Sequence, residues 1–158
     1  MEWRRDEYLI SDDRARVDLD VVHGFLASSY WATGISRELV ERSVDHALPF
    51  SLWFEPAASA ASDFTPPRAR QVGFARVISD YATFAYLGDV FVLEEFRGRG
   101  LSKWMMRVVV EHPRLQGLRR WSLLTRDAHR LYEDVGFRPL AQSDRWMERW
   151  DPDVYRRG

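Results

Sequence analysis

The chain has 158 residues, 46% of them hydrophobic, and its 23 basic and 24 acidic residues leave a formal net charge of −1. This length is typical of one domain with a single buried core, so we treat residues 1–158 as one domain. The balanced charge argues against nucleic acid or an anionic membrane as a partner, because both usually select a strongly basic face.

The absence of cysteine excludes disulfides, cysteine metal ligands and a cysteine nucleophile. The four histidines lack the clustered spacing of a zinc site, so we expect no bound metal. No apolar run reaches the roughly 18 residues of a membrane-spanning helix, and the charged N-terminus lacks an apolar signal region. We therefore expect a cytoplasmic protein.

The first half of the chain contains short apolar patterns typical of strands and of helices. Residues 8–11 predict a strand, and apolar residues recur at helical spacing from Val17 to Leu26. Ser36 is a typical cap for a second helix that reaches about His46. Alternating apolar residues at 50–54 then predict a strand with one buried face.

The second half predicts a hairpin followed by strand–helix units. Residues 56–70, rich in alanine, serine and proline, lie between two strand patterns and indicate a hairpin excursion, not a domain boundary. Further elements are predicted as strands at 72–78, 84–93, 121–125 and 146–150 and as helices at 101–112 and 127–135. The order β, α, α, β, β, β, α, β, α, β, β predicts an α/β (α+β) fold with a mixed, mostly antiparallel central sheet and helices on both faces.

The most informative stretch is residues 89–104, where a strand enters a glycine- and arginine-rich turn that opens an amphipathic helix. The first turn of a helix offers free backbone N–H groups and a partial positive charge. Gly98 and Gly100 let the backbone approach a ligand closely. Three cationic side chains add donors at this place: Arg97, Arg99 and Lys103. The stretch predicts a pyrophosphate cradle, although it lacks the glycine spacing of the Walker and dinucleotide motifs.

This turn resembles the acetyl-CoA loop of the Gcn5-related N-acetyltransferase (GNAT) superfamily, Gln/Arg-x-x-Gly-x-Gly/Ala, with Ser102 in the last small-residue position. A second segment, residues 125–137, resembles the family's closing helix, Asn-x-x-Ala-x-x-Leu-Tyr-x-x-x-Gly-Phe. Thr125 stands where the family usually has asparagine. The two segments occur in the expected order with a strand between them, and the resemblance places a CoA-binding core at about residues 84–137.

The resemblance implies an N-acetyltransferase that uses acetyl-CoA as co-substrate. The strand backbone would pair with the pantetheine arm and acetyl group, and the turn would hold the pyrophosphate. The implied CoA-binding residues are Val90, Phe91, Val92, Arg97, Gly98, Arg99, Gly100, Leu101, Ser102, Lys103 and Thr125. Tyr132 occupies the family's position for the general acid, which protonates the departing CoA thiolate.

The general base is not assigned by this resemblance. Asp89 is the only acid in strand 84–93, and a carboxylate there is costly to bury unpaired, which makes it a candidate base. Simple alternation places Asp89 on one face with Leu87 and Phe91, so a structural role is an equal alternative. Weaker candidates for the base are Glu55, Asp80 and His129.

Two adjacent aromatic residues in the loop between the first two helices, Tyr30 and Trp31, are candidates for binding the acceptor. An aromatic wall there could stack on an amine-bearing substrate, and the alternative is that Trp31 packs the helix pair together.

The predicted acceptor is a small-molecule or peptide amine, and the protein is expected to be a monomer or a homodimer. The alternative to an enzyme is a non-catalytic sensor domain of the same fold that binds acyl-CoA. An enzyme acting on aminoacyl-tRNA is disfavoured by the near-zero net charge.

Overall fold

The computed structural model describes residues 1–56 and 68–157. One six-stranded sheet has its strands in chain order: β1 Glu2–Arg5, β2 Tyr8–Ser11, β3 Leu48–Phe54, β4 Arg70–Ser79, β5 Phe84–Val92 and β6 Arg120–Ser122. The helices are α1 Leu19–Ser28, α2 Arg37–Asp45, α3 Leu101–Val110 and α4 His129–Glu133. Strands β1 to β5 pair antiparallel and β6 joins β5 in parallel, which confirms the predicted mixed sheet.

Side-chain caps fix where the two N-terminal helices begin. The Asp18 carboxylate accepts hydrogen bonds from the backbone N–H groups of Asp20 and Val21 at the start of α1. The Ser36 hydroxyl accepts from the N–H of Leu39 at the start of α2, as predicted. These bonds satisfy donors that a helix leaves unpaired in its first turn.

The sheet carries a buried apolar cluster on each face. On one face, α3 packs Leu101, Met105 and Met106 against buried residues of β2 to β5, and Tyr132 of α4 joins them. On the other face, α1 and α2 pack against Phe74 and Phe91 of the sheet. The prediction of helices on both faces is confirmed.

The two ends of the chain differ from the sequence-based prediction. Strand β1 was not predicted, because Glu2, Arg4 and Arg5 break the apolar pattern of a strand that has only β2 as a neighbour. The predicted strand at 146–150 is wrong: these residues form no strand and have no strand partner in the described part of the chain. Alternation alone does not supply the neighbouring strand that a β-conformation needs.

The bounds of two further elements are corrected. Strand β6 stops at Ser122 and helix α4 covers only His129–Glu133, so both are shorter than predicted. Most of the predicted 56–70 excursion lies outside the described residues, but β3 and β4 on either side pair directly with each other. None of the described helices is long and apolar enough to cross a membrane.

A β-bulge interrupts β5 at Asp89. Phe74 pairs with Phe91 but Arg76 pairs with Gly88, so β5 has one more residue than β4 between these pairs. Asp89 itself has a left-handed backbone with φ of 54°. The bulge resets the alternation of the strand. Leu87 therefore joins the α3 face and Phe91 the α1–α2 face, and the prediction that both share a face with Asp89 is wrong.

Candidate active site

The glycine-rich turn before α3 forms an open backbone cradle. Gly98 and Gly100 have φ angles of 76° and 70°, a left-handed conformation that favours glycine. A Cβ atom at either position would meet no heavy atom of the described chain within 4 Å. Gly100 caps α3 without a side-chain hydrogen bond. The first turn of α3 therefore has no capping side chain, which leaves its N–H groups available to an anionic ligand.

The cationic side chains around this cradle are held by contacts within the protein. Arg97 Nε donates to the Val92 carbonyl oxygen at 3.0 Å. Arg99 Nη1 donates to the Tyr8 hydroxyl at 3.1 Å. Lys103 Nζ lies 2.6 Å from Asp134 Oδ2 of the chain after α4. These partners position the charges before any ligand arrives.

A fourth cation at the cradle was missed by the sequence analysis. Arg5 Nη2 donates to the carbonyl oxygen of Arg99 at 3.0 Å, and its guanidinium lies 5.0 Å from the ring centroid of Trp104 in α3. Nothing in the sequence near Arg5 indicates this role, because the contact exists only through the folding of β1 beside α3.

Strands β5 and β6 pair over a short stretch and then separate. Their described pairing covers Phe84–Tyr86 with Arg120–Ser122, so Val90 to Val92 have no β6 partner. The Leu93 N–H donates to the Val72 carbonyl oxygen at 2.8 Å. Because successive N–H groups of a strand point to opposite edges, the Val92 N–H faces the open side.

Tyr132 of α4 lies buried beside this gap, with 8% of its surface exposed. Burial, together with nearby Tyr30, Tyr86 and Asp127, raises the pKa of Tyr132 to about 12. The hydroxyl therefore remains protonated at neutral pH and can act as a proton donor. The Phe137 N–H donates to the Tyr132 carbonyl oxygen at 3.1 Å, which fixes the end of the helix.

Thr125 and His129 line a cavity of about 230 Å³ that also includes Tyr132 and Phe137. The Thr125 hydroxyl accepts a hydrogen bond from the Ala128 N–H at 3.0 Å. Thr125 thus stabilises the turn into α4, and it lies at the family's asparagine position, which the resemblance assigns to CoA binding.

The loop between α1 and α2 brings its two aromatic residues to this region. Tyr30 and Trp31 have exposed fractions of 51% and 40%, and their rings meet edge to face at a centroid distance of 4.9 Å. The Tyr30 hydroxyl accepts a hydrogen bond from the Arg126 N–H at 3.3 Å. Trp31 Nε1 donates to Asp89 Oδ1 at 3.2 Å. The loop therefore contacts both the β5 bulge and the segment between β6 and α4.

Asp89 is paired, although the sequence showed no partner for it. One carboxylate oxygen forms an ion pair with Arg76 Nε of β4, and the other accepts the hydrogen bond from Trp31. The exposed fractions of the Arg76 and Asp89 side chains are 18% and 11%. Arg76 was not singled out in the sequence, because only the register of β4 with β5 brings it beside the bulge.

The other acidic candidates for the base are also engaged. Burial acts to raise the pKa of Glu55, but hydrogen bonds from Arg4 and Arg16 hold this pKa below its usual value. The Thr83 side chain and the backbone N–H groups that follow Asp80 lower the pKa of Asp80, which caps the β4–β5 turn. His129 lies at the cavity with Tyr132.

Comparison with known proteins supports the assignment that the fold suggests. A profile of the acetyltransferase (GNAT) domain matches residues 59–139. A Gibberella zeae protein that is assigned as an acetyltransferase is 32% identical to this chain over 155 residues. The match covers 90% of this chain and 85% of that protein. This chain belongs to the GNAT acetyltransferase family.

Solved structures agree with this family. A crystal structure from Xanthomonas campestris pv. campestris, of a protein assigned to the same family, is 48% identical, with a TM-score of 0.81 and coverage of 94% of this chain and 96% of that one. A Clostridium acetobutylicum protein that is assigned as an acetyltransferase and was solved with acetyl-CoA is 14% identical, with a TM-score of 0.59 and coverage of 89% of this chain and 93% of that one. At this low identity, the similarity to the Clostridium acetobutylicum structure shows the shared fold alone.

Proposed function

We propose that this protein is an N-acetyltransferase that transfers the acetyl group of acetyl-CoA to an amine by direct attack in a ternary complex. The observation that carries this proposal is the open cradle at Gly98–Gly100, which adjoins the gap between β5 and β6. Tyr132, a buried and protonated phenol, lies beside the same gap. The absence of cysteine means that no thiol can carry an acyl intermediate, which favours the direct route.

The proposed co-substrate fits the residues that are present. The backbone of Val90 to Val92 has no β6 partner and offers a strand edge for the amide groups of the pantetheine arm, with the Val92 carbonyl oxygen already held by Arg97. The turn from Arg97 to Lys103 offers free N–H groups and cationic side chains for the pyrophosphate. The outward-facing Val92 N–H is suited to polarise the thioester carbonyl.

In the proposed reaction, the amine nitrogen attacks the thioester carbonyl carbon, so that a C–N bond forms and the C–S bond breaks. Tyr132 gives its hydroxyl proton to the departing thiolate. The amine loses one proton to water or to a base reached through water. Keeping a primary amine neutral at pH 7 costs about 4.6 kcal/mol, so the site must favour the neutral form.

Tyr30 and Trp31 are proposed to form the wall that the acceptor meets. Tyr30 is close enough to affect the pKa of Tyr132, and the Trp31 ring meets Tyr30 edge to face. Their exposed rings fit a small-molecule or peptide amine.

The first test is thermal unfolding with and without acetyl-CoA, together with measurement of free-thiol release over a panel of amines. Acetyl-CoA at 100 times its dissociation constant should add about 2.7 kcal/mol to the free energy of unfolding. Stabilisation with amine-dependent thiol release supports the enzyme. Stabilisation without release from any amine would instead favour an acyl-CoA sensor, and no stabilisation would overturn the cradle assignment.

A further inference from the structure

We infer that Asp89 is a positioning residue that ties the acceptor loop to the β5 bulge, and that it is not the general base. Its two partners are Arg76 on β4 and Trp31 in the loop between α1 and α2. We call these three side chains the Asp89 clamp. The inference rests on the proposed function for its kinetic readout, while its structural readout is independent of any activity.

The backbone at Asp89 needs such support. A non-glycine residue with a φ of 54° is disfavoured and persists only where its surroundings hold it. Asp89 and Val90 together oppose the single residue Ala75 of β4. Arg76, the next residue of β4, reaches the Asp89 carboxylate and fixes the bulge from the neighbouring strand.

The second contact of the clamp reaches the acceptor loop. Trp31 Nε1 donates to Asp89 Oδ1 at 3.2 Å, and the Trp31 ring contacts Tyr30 edge to face. On its other side, Trp31 packs against Phe25, at a centroid distance of 6.1 Å. Phe25 in turn stacks on Phe91, which follows the bulge, at 3.9 Å. The bulge therefore holds the loop through a polar contact and an aromatic one.

The same contacts make Asp89 a poor base. A general base must lie within reach of the proton that it removes and be free to take it up. Each Asp89 oxygen already accepts one hydrogen bond, one from Trp31 and one from a guanidinium that remains charged, so a proton taken up by Asp89 would compete with the clamp. Protonating this carboxylate would break a largely buried ion pair and leave the Arg76 charge uncompensated.

The kinetic test compares variants that each remove one part of the clamp. Asp89→Asn keeps the size and the tolerance for left-handed backbone but removes the charge. Arg76→Met removes the partner charge, and Trp31→Phe removes the N–H donor while keeping a smaller aromatic ring between Tyr30 and Phe25. We expect each variant to raise the KM for the acceptor about tenfold with kcat within a few-fold of wild type, a pattern that indicates lost binding and not lost chemistry.

A double-mutant cycle separates positioning from proton removal. If the two charges act as one unit, Asp89→Asn combined with Arg76→Met should cost no more than either change alone. If Asp89 is the base, Asp89→Asn should lower kcat by about a hundredfold or more, and Arg76→Met should not reproduce this loss. A hundredfold loss of kcat in Asp89→Asn that Arg76→Met does not share would overturn the inference.

The structural readout is the indole ¹H–¹⁵N resonance of Trp31, assigned by its absence from the Trp31→Phe spectrum. Asp89→Asn and Arg76→Met should both shift this resonance in the free protein. Asp45→Asn, which removes the exposed ion pair between Asp45 and Arg14, is the matched control and should leave the resonance and the kinetics unchanged. An unmoved Trp31 resonance in both clamp variants would refute the clamp. Failure to find any acetyl transfer by wild type would refute the proposed function while this spectrum still tests the clamp.

Discussion

The guanidinium of Arg126 covers the ring of Tyr30, with its central carbon 3.9 Å from the ring centroid. The backbone N–H of Arg126 also donates a hydrogen bond to the Tyr30 hydroxyl. Together these contacts join the loop between α1 and α2 to the segment that leads into α4. Because Tyr132 lies in α4, the acceptor loop and the proposed acid are held in one arrangement.

Replacing Tyr30 should therefore affect the acceptor more than acetyl-CoA. Tyr30→Phe keeps the ring beneath Arg126 and loses one hydrogen bond, so the KM for the acceptor should change less than about fivefold. Tyr30→Ala removes the wall and should raise this KM by about tenfold or more. Steady-state kinetics against both substrates tests the prediction. Equal losses for acetyl-CoA and acceptor would contradict it.

Tyr132→Phe should reduce kcat by about a hundredfold, because the thiolate then leaves without a positioned proton donor. The stabilisation by acetyl-CoA in thermal unfolding should stay unchanged, since Phe preserves the buried ring. The measurement is kcat from thiol release beside the shift in melting temperature. A variant that keeps the kcat of wild type would show that Tyr132 is not the acid.

The raised pKa of Tyr132 also predicts how stability depends on pH. The pKa of Tyr132 is about 12 in the folded protein and about 10 in an unfolded chain. Protonation of Tyr132 therefore favours folding fully below pH 10, and this contribution is lost as the pH rises from 10 to 12. In denaturant unfolding between pH 9 and pH 11, the free energy of unfolding should fall more steeply for wild type than for Tyr132→Phe. An equal fall in the two proteins would argue against the raised pKa of Tyr132.

The glycines of the cradle should be intolerant of a side chain for conformational reasons. Gly100→Ala forces a left-handed backbone on alanine and should destabilise the protein by about 1–2 kcal/mol, as well as weaken the binding of acetyl-CoA. Gly24→Ala in α1 is the matched control, because a Cβ atom there also meets no neighbour of the described chain within 4 Å but the backbone is helical. This control should gain about 0.5–1 kcal/mol. Chemical denaturation of both variants measures the difference, and similar effects of the two changes would refute the conformational argument.

Local sequence patterns determined the cradle and the closing helix. The arrangement of Gly98, Gly100 and the start of α3 depends on residues adjacent in the chain, so the strand–turn–helix junction could be predicted directly. The glycine that follows α4 is local in the same way, since Gly136 of the closing-helix motif takes a left-handed φ of 95°, although the helix itself ends earlier than predicted. The caps at Asp18 and Ser36 are equally local.

Contacts between distant segments decided the rest. The bulge at Asp89 depends on the register of β4 against β5, which the alternation of a single strand does not contain. The Arg5 and Arg76 contacts likewise need strands folded beside α3 and β5. The predicted C-terminal strand failed because β-structure requires a partner. The sequence by itself thus determined the chemistry of the turn proposed to bind CoA, whereas tertiary pairing decided which partners hold its charges and where the acceptor loop lies.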